Sequence, residues 1–238
     1  MTELLFRGDA YLRDCEARVL DVNERGGIVL DRTVFYPTSG GQPGDRGTLA
    51  IGGWEIAIAT TVYDEAKNVV HVPAAPADGI AAGAAATARL DWDNRFRNMR
   101  CHTLMHLLCA SVPFPVTGSA ITEEGGRIDF DIPEGQIPDK AQLTARLNGL
   151  IAEDHPVSER WITDAELDAN PELVRTMFVK PPRGAGRVRL VMIGEDGAID
   201  TQPCGGTHLK STAPIGPVAV AKIENKGKIN RRIRLVFQ

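Results

Sequence analysis

The chain has 238 residues, of which 43% are hydrophobic and 24% are charged, and its formal net charge is −4. This composition is ordinary for a soluble globular protein of one large or two modest domains. No apolar run is long enough to span a bilayer, and the four cysteines lack the spacing of a disulfide framework. These features exclude a membrane protein and a disulfide scaffold, and we expect a cytoplasmic protein.

The first ninety residues show short β-type runs separated by turn residues, with little helical periodicity. They predict a small β-barrel or sandwich. The Ala-, Pro- and Gly-rich stretch that follows is typical of a flexible linker, although Ala86–Trp92 also fits a last barrel strand. We place the boundary near Asp91, with one domain over 1–91 and a second over 92–238. The predicted strands are Ala17–Val22, Gly27–Leu30, Thr48–Ile51, Gly53–Val62 and Asn68–Val72.

The rest of the chain mixes helical and strand patterns. A helix around residue 102 comes first, and a second helix has one apolar stripe at Leu143, Leu147, Leu150 and Ile151. Helices on one side of a largely antiparallel sheet give an α+β fold. The other predicted elements are a hairpin over 118–132, a strand over 157–162, a short helix over 163–170, a hairpin of 187–193 with 198–200, and a final hairpin of 218–225 with 231–237.

Two short-range pairs of zinc-binding residue types stand out. His102 and His106 lie four apart in RCHTLMHLLCA, and Cys204 and His208 lie four apart in QPCGGTHLKST. The first stretch has no Gly or Pro and its apolar residues recur with helical spacing, so both imidazoles share one helix face. The two glycines of the second pair favour a tight loop instead. Because His and Cys are ligands that zinc prefers, the two pairs predict one four-ligand zinc site.

The other cysteines and histidines fit structural roles. Cys109 is a rival ligand, because His102, His106 and Cys109 follow one helical stripe, but a free cysteine also packs well as a small buried hydrophobe. His71 is typical of a strand residue, and His155 of a turn residue before proline. Neither has a partner at ligand spacing.

Three clusters of basic residues flank the ligand pairs, despite the negative net charge. Solvated surfaces explain any one cluster, whereas three clusters around the proposed metal favour a phosphate-rich substrate. We expect Arg231 and Arg232 in the last cluster to bind phosphate. The clusters are Arg89, Arg95, Arg97 and Arg100; Lys180, Arg183, Arg187 and Arg189; and Lys222, Lys226, Lys228, Arg231, Arg232 and Arg234.

Three motifs together resemble the AlaX-type alanyl-tRNA editing proteins, which are free-standing relatives of the editing domain of alanyl-tRNA synthetase. The motifs are HTLMH, QPCGGTH followed by IGP, and FYPTSGGQPGDRG in an N-terminal barrel. The resemblance runs from Phe35 to the last hairpin and is closest to the medium-length members. It implies a small N-terminal β-barrel followed by a two-layer α+β editing domain with a largely antiparallel sheet. The chain length leaves no room for an aminoacylation domain.

The resemblance also assigns residues. The family's zinc ligands fall on the two pairs already described. Its glycine-rich motif falls on Gly40, Gly41 and Gln42, with Ser39 in place of the first glycine. A threonine linked in the family to the serine hydroxyl falls on Thr117. No general base is identified by the motifs, and Asp129 in RIDFD is the candidate because it follows the hairpin near that threonine.

The function implied by the resemblance is zinc-dependent deacylation of tRNA(Ala) mischarged with serine, and sometimes with glycine, which prevents mistranslation of alanine codons. The implied partner is that tRNA, with no membrane, no ATP and no obligate protein partner. Two alternatives remain open on the residues alone. One is a non-catalytic tRNA-binding module with a structural zinc, and the other is a zinc hydrolase of small free esters or amides.

Overall fold

The computed structural model describes residues 2–122, 124–174 and 186–238. The chain forms two compact units, residues 1–98 and 99–238. Within the described ranges, no helix combines the length and the apolar character needed to cross a bilayer. The domain boundary at Asp91 stays a prediction.

The first unit contains a closed six-stranded barrel with strand order β2-β3-β7-β6-β5-β8, and β1 pairs with β4 in parallel beside it. The predicted barrel is therefore confirmed, and the Ala-rich segment ends in its last strand. The strands are β1 (Glu3–Leu4), β2 (Asp14–Val22), β3 (Ile28–Leu30), β4 (Arg32–Thr33), β5 (Gly47–Ile51), β6 (Trp54–Tyr63), β7 (Val69–Pro73) and β8 (Ala85–Leu90).

The barrel core is mainly apolar, and the first unit also holds a buried ion pair. Val19, Leu30, Phe35 and Leu49 are among the side chains at 0–1% exposure that fill it, which is the result expected when alternate strand residues face one core. Arg95 and Asp45 are fully buried and paired. Because the guanidinium also donates to the carbonyls of Ala10 and Val34, its hydrogen-bonding groups are satisfied within the unit.

The later part of the chain is mixed α and β, as predicted. Helix α1 starts where the Asp91 carboxylate accepts a hydrogen bond from the Asn94 amide, an N-cap interaction. The elements are α1 (Trp92–Ser111), β9 (Val116–Ile121), β10 (Gly125–Asp131), α2 (Lys140–Ala152), β11 (Val157–Ile162), α3 (Asp164–Ala169), β12 (Val188–Ile193), β13 (Asp200–Pro203), β14 (Val218–Asn225) and β15 (Asn230–Phe237).

The strands of the second unit form two antiparallel sheets, whereas the sequence predicted one. Their orders are β14-β15-β10-β9 and β11-β12-β13. Helix α2 binds the edge of the first sheet through Asn148, whose side-chain amide bonds both the carbonyl and the amide of Val218. Strand β13 begins two residues later than predicted because Ala198 caps the 3-10 turn Glu195–Gly197, its amide donating to the Glu195 carbonyl.

Strand β10 lies close to helix α1 at Gly126. A Cβ atom placed on this glycine would be 2.8 Å from Sγ of Cys101 and 2.9 Å from Sδ of Met105. Those separations are shorter than van der Waals contact, so only glycine lets the strand approach the helix this closely. The contact places β10 against the helix segment that carries His102 and His106.

Candidate metal centre

Helix α1 presents His102 and His106 on one face, as their spacing predicted. The two ring centroids are 5.4 Å apart, and the residues are 6% and 5% exposed. The helix around them is buried on several sides, with Met99, Leu104 and Leu107 fully covered. A helix that is apolar almost all round belongs to a core, so the imidazoles are held in a rigid setting.

The loop after β13 brings Cys204 and His208 to the same place. The His208 ring lies 4.3 Å from the His102 ring and 4.6 Å from the His106 ring, measured between centroids. The Cys204 amide donates to the carbonyl of Arg189, which continues the pairing of β13 with β12 by one residue. The pairing of β13 with β12 therefore places the Cys204–His208 loop next to helix α1.

The four donor atoms lie within 4.8 Å of one another. Cys204 Sγ is 3.5 Å from His102 Nε2 and 3.3 Å from His208 Nε2. In a tetrahedral zinc site, with bonds of about 2.3 Å to sulfur and about 2.0 Å to nitrogen, sulfur and nitrogen ligands are about 3.5 Å apart. The residues present thus match zinc in donor type, number and spacing.

The outward-facing ring nitrogens of His106 and His208 have partners of their own. His106 Nδ1 is 2.8 Å from Asp200 Oδ2, and Gln202 Nε2 donates to the same carboxylate oxygen at 2.9 Å. His208 Nδ1 is 3.3 Å from the Thr103 hydroxyl. These contacts leave Nε2 of both histidines directed into the cluster, and carboxylate partners of this kind orient metal-binding imidazoles.

Electrostatics favour a thiolate in the cluster. Burial alone raises the pKa of Cys204, but His102 and then His208 lower it well below its ordinary value. Burial lowers the pKa of His106, whereas its hydrogen bond to Asp200 and the nearby Cys204 raise it to about 9. Burial and the charge of His102 lower the pKa of His208 well below its ordinary value. A cation would therefore meet an anionic sulfur, which is the form that binds metal.

Comparisons with known proteins agree with this architecture. The family model described as the threonyl and alanyl tRNA synthetase second additional domain matches residues 188–234, and the model for class II (A) tRNA synthetases matches residues 12–94. The alanyl-tRNA editing protein AlaX-M of Methanosarcina acetivorans is 35% identical, with 98% of each chain covered. The chain belongs to the alanyl-tRNA editing protein family.

Two further relatives show how the match is distributed. The AlaX-M protein of Pyrococcus horikoshii is 33% identical over 99% of this chain and 97% of its own length. An alanine–tRNA ligase of Pyrobaculum neutrophilum is 34% identical over 94% of this chain, but over only 25% of the ligase. The similarity therefore spans whole editing proteins and one part of a larger synthetase.

Thr117, predicted to bind substrate, and Asp129, the candidate general base, lie together on the four-stranded sheet. The Thr117 hydroxyl donates to the Asp129 carbonyl at 3.2 Å and accepts from Asn230 Nδ2 at 2.7 Å. The Asp129 carboxylate is bound by Arg232 through two hydrogen bonds of 2.8 Å and by Arg127 at 3.0 Å. Burial raises the pKa of this carboxyl, but Arg232 and Arg127 lower it below its ordinary value. Such an anion is a weaker base than a free carboxylate.

The predicted glycine-rich motif forms a tight turn in the first unit. Ser39 and Gln42 exchange two backbone hydrogen bonds of 2.9 and 3.1 Å, and the two residues between them have positive φ, +56° at Gly40 and +83° at Gly41. Positive φ at both central positions is the pattern of a type I′ turn, which favours glycine. Gln42 is fully buried, while both glycines are exposed. Their role with substrate stays a prediction.

Many arginines of the predicted basic clusters have partners inside the fold. Arg95 pairs with a buried carboxylate, as described above, and Arg100 donates twice to the Ile215 carbonyl. Arg231 is 5% exposed and donates to the carbonyls of Gly227, Lys228 and Asn230, which close the last hairpin. Lys180 and Arg183 lie outside the described residues. Among the basic residues with exposed side chains are Arg89, Arg187, Lys226 and Lys228.

The sequence interpretation left out the residues that support the ligands. Asp200, Gln202, Thr103 and the guanidinium of Arg189 each contact a ligand or its loop. Asp200 and Gln202 stand four and two residues before Cys204, and this proximity is the signal that would have located them. Cys109, the rival ligand, is buried in α1 and does not belong to the four-residue cluster.

Proposed function

We propose that this protein is a trans-editing hydrolase that removes serine, and secondarily glycine, from mischarged tRNA(Ala). The similarity to editing proteins over nearly their full length supports action on tRNA(Ala). The observation that carries the hydrolytic assignment is the preformed cluster of three imidazoles and one cysteine sulfur, in which the outward nitrogens of His106 and His208 already have partners. Removal of a wrong amino acid from the tRNA would protect alanine codons from mistranslation.

The chemistry required is modest, because the bond to be cleaved is an activated ester between a carboxyl group and a ribose hydroxyl. Zinc held by His102, His106, Cys204 and His208 would supply a Lewis acid that polarises a carbonyl or lowers the pKa of water to about 7. The chain itself contributes rigid positioning. Asp200 orients His106, and Thr103 lies within hydrogen-bonding distance of His208.

A second candidate is favoured by the closed set of donors. Four protein ligands are typical of a structural zinc site, whereas catalytic sites usually keep one position open. The alternative is therefore a tRNA-binding module in which the metal only maintains the fold.

A deacylation assay separates the two candidates. Purified protein is incubated with Ser-, Gly- and Ala-tRNA(Ala), and release of each amino acid is measured beside the His106→Ala variant. We expect rapid release of serine, slower release of glycine, retention of alanine, and no activity in the variant. Binding of tRNA without release of any amino acid would establish the non-catalytic module. Hydrolysis of small free esters that is indifferent to salt would indicate a different hydrolase.

For substrate selection, we propose that the Thr117 hydroxyl recognises the serine side chain. This hydroxyl donates to the Asp129 carbonyl and accepts from Asn230, so its second lone pair would accept from the serine hydroxyl, a hydrogen bond that alanine cannot make. Thr117→Val should lower the ratio of serine hydrolysis to alanine hydrolysis. The expected decrease corresponds to a loss of about 1–3 kcal/mol in the binding of the serine substrate. Thr122→Val is the matched control, because that hydroxyl donates to the Gly125 carbonyl in the same hairpin. Equal ratios in both variants would limit Thr117 to holding the strands.

For the tRNA interface, we propose the β14–β15 hairpin. Its exposed charges include Lys226 and Lys228 at the tip, while Arg231 shapes the turn and Arg232 pairs with Asp129. The Lys226→Gln/Lys228→Gln variant should bind tRNA more weakly. The slope of the logarithm of its affinity against the logarithm of the salt concentration should become shallower by about one for each phosphate that the hairpin no longer binds. If the slope is unchanged both in this variant and in Arg231→Gln/Arg232→Gln, the hairpin does not belong to the tRNA interface.

A further inference from the structure

The Arg189 guanidinium reaches from strand β12 to the loop that carries Cys204. Its Nη1 donates to the carbonyl of Cys204 at 2.9 Å and to the carbonyl of Gly206 at 2.8 Å. The residue is only 6% exposed. One buried nitrogen therefore holds the two carbonyls on either side of Gly205, and buried carbonyls need such a donor.

The other side of this guanidinium is held by a carboxylate on the neighbouring strand. Arg189 Nε donates to Glu159 Oε2 at 2.7 Å, and its Nη2 donates to Glu159 Oε1. In the antiparallel register Glu159 lies opposite Val191, so the pair is a diagonal one across β11 and β12. A two-point contact fixes the plane of a guanidinium, and with it the direction of its remaining donors.

The orientation of the loop follows from this contact. With the carbonyls of Cys204 and Gly206 both turned to Arg189, the Gly206 amide is 3.4 Å from Cys204 Sγ and donates to it. Such a donor stabilises the thiolate form. The backbone conformation that holds the ligand sulfur among the imidazoles is thus set by a side chain that lies outside the ligand cluster.

We propose that Arg189, held in place by Glu159, is a positioning residue that sets the Cys204–Gly206 loop in its metal-binding conformation. This inference rests on the proposed metal centre. It differs from the phosphate-binding role that the sequence predicted for this arginine, because all of its contacts described above are to the protein itself.

Two other arginines of the second unit allow the positioning of the Cys204 loop to be distinguished from ordinary pairing between strands. Arg234 and Glu224 form a similar diagonal pair across β15 and β14, with Nε 2.6 Å from Oε2. Arg231 matches Arg189 in burial and also donates to loop carbonyls, but its loop contains no member of the ligand cluster. These two arginines provide controls for pairing and for burial.

The experiment measures Zn²⁺ affinity by chelator competition, and Co²⁺ absorption, in the full-length protein. Arg189→Lys keeps the charge but cannot reproduce the fork of donors. We expect about 10- to 100-fold weaker Zn²⁺ binding, the range for residues that support metal ligands, and a weaker thiolate-to-cobalt band. Arg231→Lys and Arg234→Lys should retain both parental signals even where thermal stability falls.

Each outcome has a definite meaning. If the parent protein binds no Zn²⁺, the proposed metal centre itself fails. If the parent binds and the folded Arg189→Lys variant binds equally well, or if both controls lose as much affinity, the positioning role is overturned. Should Arg189→Lys not fold, Glu159→Gln decides, because it leaves the arginine in place. Weaker Zn²⁺ binding there supports the proposal, and parental affinity rejects it.

Discussion

Two buried histidines, one in each unit, have opposite properties. His71 in the barrel is fully buried, its Nε2 accepts from the Thr33 hydroxyl at 2.8 Å and its Nδ1 donates to the Ile28 carbonyl at 3.0 Å. Its pKa falls to about 4, chiefly because burial disfavours the charged form. His106 is also buried, yet Asp200 and Cys204 raise its pKa to about 9.

The difference shows that the partners of a buried histidine determine its role. Neutral partners use both nitrogens of His71, so this residue is a satisfied part of the barrel core. An anionic partner on Nδ1 of His106 leaves Nε2 directed at three other donor atoms. The carboxylate and the sulfur beside His106 therefore stabilise positive charge there, whereas burial among neutral partners disfavours positive charge at His71.

The largest expected effect comes from removing each histidine. His106→Ala and Cys204→Ala should abolish the binding of one zinc per chain, because each deletes a ligand. His71→Ala should lower barrel stability but retain the metal, and Cys109→Ala should retain it too. Metal analysis of the purified variants gives the test. Full zinc in His106→Ala, or its absence from Cys109→Ala, would mean that a different ligand set holds the ion.

The barrel should weaken in acid because of His71. Its folded-state pKa, about 4, lies below the ordinary value of 6.5, so the unfolded chain takes up a proton first as the pH falls. Stability from this residue is complete above pH 6.5 and falls by about 3 kcal/mol as the pH approaches 4. Hydrogen exchange of barrel amides across this range, corrected for intrinsic rates, measures the decrease. In the His71→Gln variant, barrel stability should depend less on pH. If its stability falls with pH as steeply as that of the parent protein, the effect comes from carboxylates.

Substitution of the residues that bind the two imidazoles should have a smaller effect than removal of the histidines themselves. Asp200→Asn preserves shape but removes the charge beside His106, so zinc should bind about 10- to 100-fold more weakly. Thr33→Val removes the hydroxyl bound to His71 and should cost about 1–3 kcal/mol of stability without changing zinc affinity. Chelator competition and denaturant titration measure these changes. A zinc affinity that survives Asp200→Asn would restrict this carboxylate to a structural hydrogen bond.

The sequence predicted the grouping of the four candidate ligands better than it predicted the residues that support them. Pairs four residues apart restrict geometry by themselves, on a helix for His102 and His106 and around two glycines for Cys204 and His208. The strands of the barrel were predictable because turn residues separate them. The contact of Arg189 with Glu159 joins residues 30 apart in the chain, and residue type alone does not reveal such a partner.

Of the sequence signals, the clusters of basic residues said least about the roles of their members in the structure. A run of arginines before the first ligand pair predicted phosphate contacts, but Arg95 is fully buried against Asp45 and Arg100 holds the Ile215 carbonyl. An arginine has the same sequence signature whether its guanidinium meets a phosphate or a backbone carbonyl. The split of the second unit into two sheets was also missed, because hairpin patterns specify neighbouring strands and leave the association of distant hairpins open.

The close approach of β10 to α1 has a consequence for sequence variation. A side chain at Gly126 would collide with the side chains of Cys101 and Met105, so these side chains, or the backbone that carries them, would have to move. In a library of active variants, alanine at position 126 should therefore be found mainly together with smaller residues at 101 and 105. Deep mutational scanning of the three positions would reveal this dependence as epistasis, in which Gly126→Ala is harmful alone and is best tolerated with Cys101→Ala and Met105→Ala together.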